Sequence, residues 1–275
     1  MTKKRIVLCA DDYGQAEEIS HAIIKLIEKN RLSATSCIVN TPWWPQHASW
    51  LKSFQSQIDI GLHFNLTEGQ ALSSAFLKQY GDNFLGFKNL ISKAFCHQLN
   101  RQTIAAECRA QLDCFINNLG FYPRFIDGHQ HVHQFPIIRD ALIEVYQARL
   151  QQHASFIRLA RPKIKITDII HNVKKILIYA MGSKQLQFLL KKYAIPFNHS
   201  FSGIYTFNQS NNYAALFSLF LQEVDDRGLI MCHPAIATNM SDRITFARYD
   251  EYQYLASDQF PHDCLAQNVL IQQFA

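Results

Sequence analysis

Asp11 and Asp12 follow directly on the apolar run Ile6-Val7-Leu8-Cys9-Ala10. Two adjacent carboxylates at the end of a buried strand are costly unless a cation neutralises one of them. Alone, Asp12 reads more readily as the cap of a helix beginning near Gln15; otherwise a turn at Tyr13-Gly14 must bring both carboxylates to one rim. Further along, Ile58, Ile60, Leu62, Phe64 and Leu66 alternate with Asp59, Gly61, His63, Asn65 and Thr67. Such alternation puts the two sets on opposite faces of a strand. The apolar set suits packing against outer helices, which turns His63 inward, with Gly61 leaving room beside it. A lone histidine there is ordinarily a hydrogen-bonded core residue.

The densest cluster is Asp127-Gly128-His129-Gln130-His131-Val132-His133, three histidines at alternate positions in a chain with twelve. If the segment is extended, Asp127 and all three histidines face one way. His129 and His133 then lie about 13 Å apart at about 3.3 Å per residue, so one metal cannot take both. One or two of the three can be ligands, and the others serve substrate or a supporting layer of hydrogen bonds. His233, in Met231-Cys232-His233-Pro234, would alone read as a packed or surface residue. Beside the other groups it becomes a candidate general acid, because an imidazole can donate a proton near neutral pH.

These residues need elements that deliver them to one place. Strands are expected at Arg5–Ala10, Thr35–Val39, Ile58–Leu66, Arg124–His133, Phe156–Leu159, Gly203–Phe207 and Leu229–Cys232. Helices are expected at Gln15–Lys29 and near 101–119, 136–151, 165–193, 211–224 and 246–256. Repeated strand–helix alternation implies an α/β fold with a parallel sheet. About seven strands fit a closed or nearly closed, TIM-like β/α barrel, in which functional groups gather where strands end. Asp11 and Asp12, His63, Asp127 to His133, and His233 all fall at such ends. The rival, an open doubly wound nucleotide-binding sheet, would put glycines where ADDYGQAEE has aspartates, and these would repel a pyrophosphate. With no repeat or low-complexity linker, residues 1–275 read as a single domain with a helical insertion near 165–195. In that insertion Ile169, Val173, Ile176, Leu177, Ala180 and Met181 recur at helical spacing, with Lys174 and Lys175 off the stripe. A barrel or covering helix is the plain reading of Thr167–Lys192, and a lipid-facing helix the sharper one.

Composition excludes several classes. Of 275 residues, 48% are hydrophobic and 18% charged, which is globular rather than disordered. The net charge of +5, with no basic run, does not point to nucleic acid. The basic start MTKKR precedes only a short apolar run ended by two aspartates, unlike a signal peptide. No stretch approaches a membrane span. Seven scattered cysteines without a C-x-x-C pair suit a reducing, cytoplasmic setting.

Ala10-Asp11-Asp12-Tyr13-Gly14, Gly61-Leu62-His63-Phe64-Asn65-Leu66-Thr67-Glu68-Gly69 and Asp127–His133 together resemble the YdjC-like carbohydrate deacetylases, which include chitooligosaccharide deacetylases. Cys232-His233-Pro234, followed by Arg248, Glu251, Leu255 and Ser257, extends the resemblance over nearly the whole chain. It implies a β/α barrel related to the polysaccharide deacetylases, one divalent metal ion, Mg2+ or Zn2+, held by Asp12, His63 and His129, Asp11 as base and His233 as acid. The implied substrates are N-acetylated sugars, chitooligosaccharide-like, phosphorylated or glycolipid-linked, so contact with a membrane would arise only through a glycolipid. A homodimer stays open. The resemblance departs at Ala235, where glycine commonly follows His-Pro, at Arg158-Leu159-Ala160-Arg161-Pro162-Lys163, which lacks a glutamate, and over 165–193.

One aspartate and two histidines leave open positions on a metal, as catalysis requires, and two imidazoles favour zinc or another transition metal. The metal would polarise an acetamide carbonyl, Asp11 would take a proton from water, and His233 would protonate the leaving amine. His131, His133, Tyr13, Arg158 and Trp43 are the weaker candidates for substrate contact. Trp43 and Trp44, in Pro42-Trp43-Trp44-Pro45, are either sugar-stacking or buried beneath their loop. Two alternatives are a phosphoesterase, which would prefer two metals about 4 Å apart, and a non-catalytic sugar-binding protein.

Overall fold

The structure is a computed structural model that describes residues 3–164, 173–208, 212–238 and 242–274, with the backbone alone at 173 and 174. Among the described residues there are eight strands: β1 (Lys4–Tyr13), β2 (Ala34–Cys37), β3 (Asp59–Phe64), β4 (Phe125–Gly128), β5 (Phe156–Ile157), β6 (Phe201–Ser202), β7 (Gly228–Cys232) and β8 (Val269–Ile271). The first seven run parallel in the order β5-β4-β3-β2-β1-β7-β6, and β8 pairs with the start of β1. A parallel bridge between Pro162 and Phe201 joins the chain after β5 to β6, so the ends of the curled sheet meet at a one-bridge seam. The expected barrel of about seven parallel strands is what forms.

Alternation sorts the side chains of each strand, as a pleated backbone requires. Ile6, Leu8 and Ala10 of β1, with Ile60, Leu62 and Phe64 of β3, join the large core against the helices. Val7 and Cys9 of β1, Phe125, Phe156, Leu229 and Met231 form a second cluster inside the curl. Asp11, His63 and Asp127 continue the inward faces of their strands toward the rim. The space beside Gly61 is not left for His63: a Cβ there would lie 2.5 Å from the Phe125 ring, so glycine admits that ring.

Helices surround the sheet: α1 (Glu17–Glu28), α2 (Trp44–Leu51), α3 (Ser74–Tyr80), α4 (Phe87–Phe95), α5 (Arg101–Leu119), α6 (Ile138–Arg149), α7 (Val173–Ile178), α8 (Lys184–Lys192), α9 (Tyr213–Glu223), α10 (Thr245–Ala256) and α11 (Gln259–Ala266). In α1, Ile19, Ala22, Ile23, Leu26 and Ile27 form the buried stripe, Glu17 and Glu18 complement the positive end of the helix, and left-handed Asn30 follows its last turn. In α5 the Asn100 side chain accepts from the amides of Gln102 and Thr103, and left-handed Gly120 stops the helix.

Four expectations are corrected. The fourth strand, expected to reach His133, ends at Gly128 and turns into a tight helical segment, His129–Gln134. The sixth strand lies at Phe201–Ser202 rather than Gly203–Phe207, because Gly203 takes φ 98° and ends it. The fifth stops at Ile157. The expected continuous helix 165–193 is two helices joined by a π turn, Tyr179–Ser183, where Gly182 takes φ 111°; Ile169 and the rest of 165–172 lie outside the described residues. No helix among the described residues is long and apolar enough to cross a membrane.

Candidate active site

The site begins with an irregularity in β1. Its register against β2 runs Cys9 to Ala34 and Ala10 to Thr35, then jumps to Tyr13 opposite Cys37. One extra residue on β1 makes this a bulge. Asp12 takes φ 70°, which aspartate tolerates better than most residues. The bulge, rather than the turn at Tyr13-Gly14, therefore lets two consecutive carboxylates reach the same rim. The helix-cap alternative for Asp12 is overturned: the N-cap of α1 is Ala16, and no side chain caps it.

Asp12 is buried and sits between two imidazoles. Its Oδ1 lies 2.9 Å from His129 Nδ1 and 3.4 Å from His63 Nε2, and its Oδ2 accepts from Arg248 Nη2 at 2.7 Å. A four-coordinate ion with ligands at about 2.0–2.1 Å sets neighbouring ligand atoms about 3.3 Å apart, so the spacing suits a shared cation. Burial works against charge on Asp12, but Arg248 and His129 outweigh it and hold the carboxyl well below the usual range. Burial likewise opposes charge on both histidines, yet Asp127 and Asp12 hold His63 up to about 10, and Asp12 holds His129 up to about 9. Such proton affinity in buried imidazoles marks a pocket with surplus negative charge, where a cation can replace the protons.

Beneath this group lies a second one. Arg158, wholly buried, donates from Nη1 to Asp11 Oδ2 at 2.6 Å and from Nη2 to Asp11 Oδ1 at 2.7 Å, and its Nη2 lies 2.7 Å from Asp127 Oδ2. Asp127 Oδ1 faces His63 Nδ1 at 2.6 Å and accepts from Ser36 Oγ at 2.5 Å. Asp11, His63 and Asp127 also cluster closely enough for a metal, as do Asp12, His63 and His129. Chemistry separates the two sets: the guanidinium already serves as counter-ion to Asp11 and Asp127. Asp127 on the far nitrogen of His63 instead forms the carboxylate–histidine pair that orients a metal-binding imidazole. The residues present thus fit one divalent cation at Asp12, His63 and His129.

The end of β4 explains how one histidine is singled out. Gln130 (φ 54°) and His131 (φ 60°) are left-handed, so the chain folds back after His129. A Cβ on Gly128 would lie 2.8 Å from the amide nitrogen of His133, which is why the turn needs glycine. The three histidines diverge instead of lining one face. His129 joins Asp12, and His131 lines the cavity edge-on to Phe201. His133 is buried with Nε2 2.9 Å from the Arg158 carbonyl, and burial pushes its pKa down to about 4. His133 is therefore a support for the Arg158 backbone, not a substrate contact, and the extended spacing that excluded it from the metal does not exist.

Other candidates are also relocated. Arg158 lies under the carboxylates and not on the cavity wall. Tyr13 is in the core, its hydroxyl donating to the His47 carbonyl at 2.7 Å. Trp44 packs against Phe115, and Trp43, 43% exposed, stacks on His47 away from the cavity. His233 does reach the rim, with Nε2 4.0 Å from Asp11 Oδ2 and Nδ1 3.9 Å from Glu251 Oε1. Glu251 accepts from the His233 backbone amide and, at 2.6 Å, from the Tyr205 hydroxyl. Residue patterns alone missed Ser36, whose only signal was its place on an inward strand face.

Asp11, Asp12, His63, His129, His131 and His233 all line one cavity of about 1380 Å³. Its lining also includes apolar Leu85, Phe87, Leu177, Ile178, Met181 and Ile244, interspersed with Lys88, Asn89, Asp242 and Arg243. Leu177, 55% exposed, stands there, so the segment after 173 forms a wall of the cavity as well as covering the barrel.

Known proteins can be set against this geometry. The profile of the family described as YdjC-like protein matches residues 5–266. A carbohydrate deacetylase of Danio rerio is 31% identical over 150 residues, 52% of this chain and 46% of its own. The chain thus spans about half the length of that relative. A chitooligosaccharide deacetylase of Yersinia pestis is 26% identical over 261 residues, 93% of this chain and 92% of its own. In structure, an Enterococcus faecalis protein described by a role in cellobiose-phosphate cleavage superimposes with a TM-score of 0.70, at 18% identity over 99% of this chain and 98% of its own. That likeness is one of fold.

Proposed function

Because the chain belongs to the YdjC-like protein family, whose profile spans residues 5–266, we propose that it is a metal-dependent deacetylase releasing acetate from an N-acetylated sugar. The observation that supports this best is the convergence on one cavity floor of a carboxylate–imidazole set, a second carboxylate tied by an arginine, and a histidine at the opposite edge. Relatives named carbohydrate and chitooligosaccharide deacetylases point to the same substrate class.

Asp12, His63 and His129 would hold one divalent ion, Zn2+ or Mg2+. When bound, the ion would polarise the acetyl carbonyl and acidify water. Asp11 is the base: two hydrogen bonds from Arg158 fix its plane. It takes the proton of the water that attacks the carbonyl carbon. His233 faces Asp11 across a 4.0 Å gap and donates a proton to the sugar nitrogen as the C–N bond breaks. Glu251 holds the His233 backbone in place. The products are acetate and a free amine. The apolar part of the lining would cover the less polar face of a sugar or an attached aglycone.

A phosphoesterase would need a second cation, and the only other set of metal-type residues among those described already has Arg158 as its counter-charge. The test is elemental analysis together with product assays on N-acetylated chitooligosaccharides, free, phosphorylated and lipid-linked. One metal per chain with acetate release is expected. Phosphate release would favour the phosphoesterase, and sugar binding without turnover the non-catalytic alternative.

A further inference from the structure

Each ligand imidazole directs one nitrogen to Asp12, His63 through Nε2 and His129 through Nδ1. The far nitrogen of His63 faces Asp127 at 2.6 Å. The far nitrogen of His129, Nε2, is buried and makes no hydrogen bond among the described residues, yet Glu68 Oε1 stands 3.4 Å from it. Glu68 is not a loose surface carboxylate. Its Oε2 accepts from Gln15 Nε2 at 2.9 Å and its Oε1 from Gln130 Nε2 at 3.3 Å. Its backbone is pinned from both sides. Its amide donates to Asn65 Oδ1 at 3.2 Å, and its carbonyl accepts from Asn65 Nδ2 at 2.7 Å and Asn40 Nδ2 at 3.1 Å.

Building on the metal reading above, we propose that Glu68 is the positioning residue for His129, a counterpart on the cavity side of what Asp127 does for His63 inside the barrel. A carboxylate at Nε2 keeps the hydrogen on that nitrogen and leaves the Nδ1 lone pair for the metal. The two ligand histidines then bind through opposite ring nitrogens. One is oriented by a fully buried aspartate. The other is oriented by a half-exposed glutamate at the cavity mouth, which makes the cavity side of the metal site the adjustable one.

The test is Zn2+ affinity of the full chain, measured by competition with a chromophoric chelator, for wild type, Glu68→Ala, Glu68→Gln and Asp12→Ala. Glu68→Ala should bind Zn2+ about 10–100-fold more weakly, the range for loss of a partner that orients a ligand. Glu68→Gln, which keeps an acceptor oxygen, should restore most of that loss. The visible spectrum of the Co2+-loaded protein should shift in Glu68→Ala and return in Glu68→Gln. Circular dichroism melting should match across the Glu68 set, since the side chain is half exposed. Wild-type affinity in Glu68→Ala, or a loss in Glu68→Gln as large as in Glu68→Ala, would overturn the role. The Asp12→Ala arm separates the two readings. If Asp12→Ala binds as well as wild type, or wild type binds no Zn2+, the metal reading fails; if only Asp12→Ala loses binding, Glu68 alone is at fault.

Discussion

At the scale of single residues, the site is a chain of paired charges in which each member holds the next. Arg158 is wholly buried against Asp11 and Asp127. Removing one partner of a buried ion pair typically costs about 3–5 kcal/mol, because the other charge is stranded. Arg158→Met should therefore lower stability by about that amount in urea unfolding, leaving two uncompensated carboxylates. Arg158→Lys should recover part of the stability and little of the turnover, since a point charge cannot fork to both oxygens of Asp11. Asp11→Asn should keep the metal and the fold while acetate release falls by orders of magnitude. An active Asp11→Asn enzyme with normal metal content would refute its role as base. These roles were only partly legible in the sequence. Asp11, Asp12, His63 and the histidine cluster after β4 stand out by residue type and strand-end position, whereas the choice of His129 within that cluster comes only from the family resemblance. Arg158 does not, because an arginine after a strand reads as a substrate contact until the fold shows it lying beneath the carboxylates.

At the scale of elements, the informative departures are places where the backbone leaves its regular path. Strands and helices with clean periodicity, β1, β3 and α5, lie close to where alternation and helical spacing predict them. The bulge at Asp12 and the left-handed pair Gln130–His131 do not show in periodicity, because each depends on a neighbour that fills or vacates space. Gly128→Ala tests this. Its Cβ would press on the His133 amide at 2.8 Å and on the His133 side chain at 3.0 Å. Overpacking of that kind costs about 1–3 kcal/mol, and the displaced turn should also weaken metal binding through His129, both measurable on one preparation. The loop Pro42-Trp43-Trp44-Pro45 escaped a helix assignment because prolines flank it, although Pro45 suits the first turn of α2. That helix carries His47, whose Nδ1 pairs at 2.9 Å with Ser20 Oγ, which in turn accepts from the Gly14 amide. Burial holds His47 below its ordinary pKa. The unfolded chain therefore binds more protons below about pH 6.5, and this contribution to stability is full above that value and lost as pH falls through the folded pKa. Urea midpoints measured between about pH 7.5 and about pH 5 should fall less in His47→Asn than in wild type.

At the scale of the molecule, the curl is closed at its sides by the one-bridge seam and at its base by the tail after β8. The Phe274 amide donates to Asp59 Oδ2 at 2.6 Å, and its ring stacks on Phe156 at 4.0 Å, which stacks on Phe125 at 5.0 Å. Full burial makes a phenylalanine-to-alanine change worth about 3–5 kcal/mol. Phe274 is only partly buried, so Phe274→Ala should lower stability by about 1–3 kcal/mol in thermal or urea unfolding, with the proposed metal site unaltered because the loss is at the opposite end of the strands. The rim itself is stitched across a long stretch of sequence: Asp12 meets Arg248, 236 residues later. Contacts of such separation form late and slowly. While a ribosome is still extending the chain, Asp12 has no arginine beside it and His233 no glutamate at its backbone. The proposed chemistry therefore waits on α10, and chains halted before residue 245 should release no acetate.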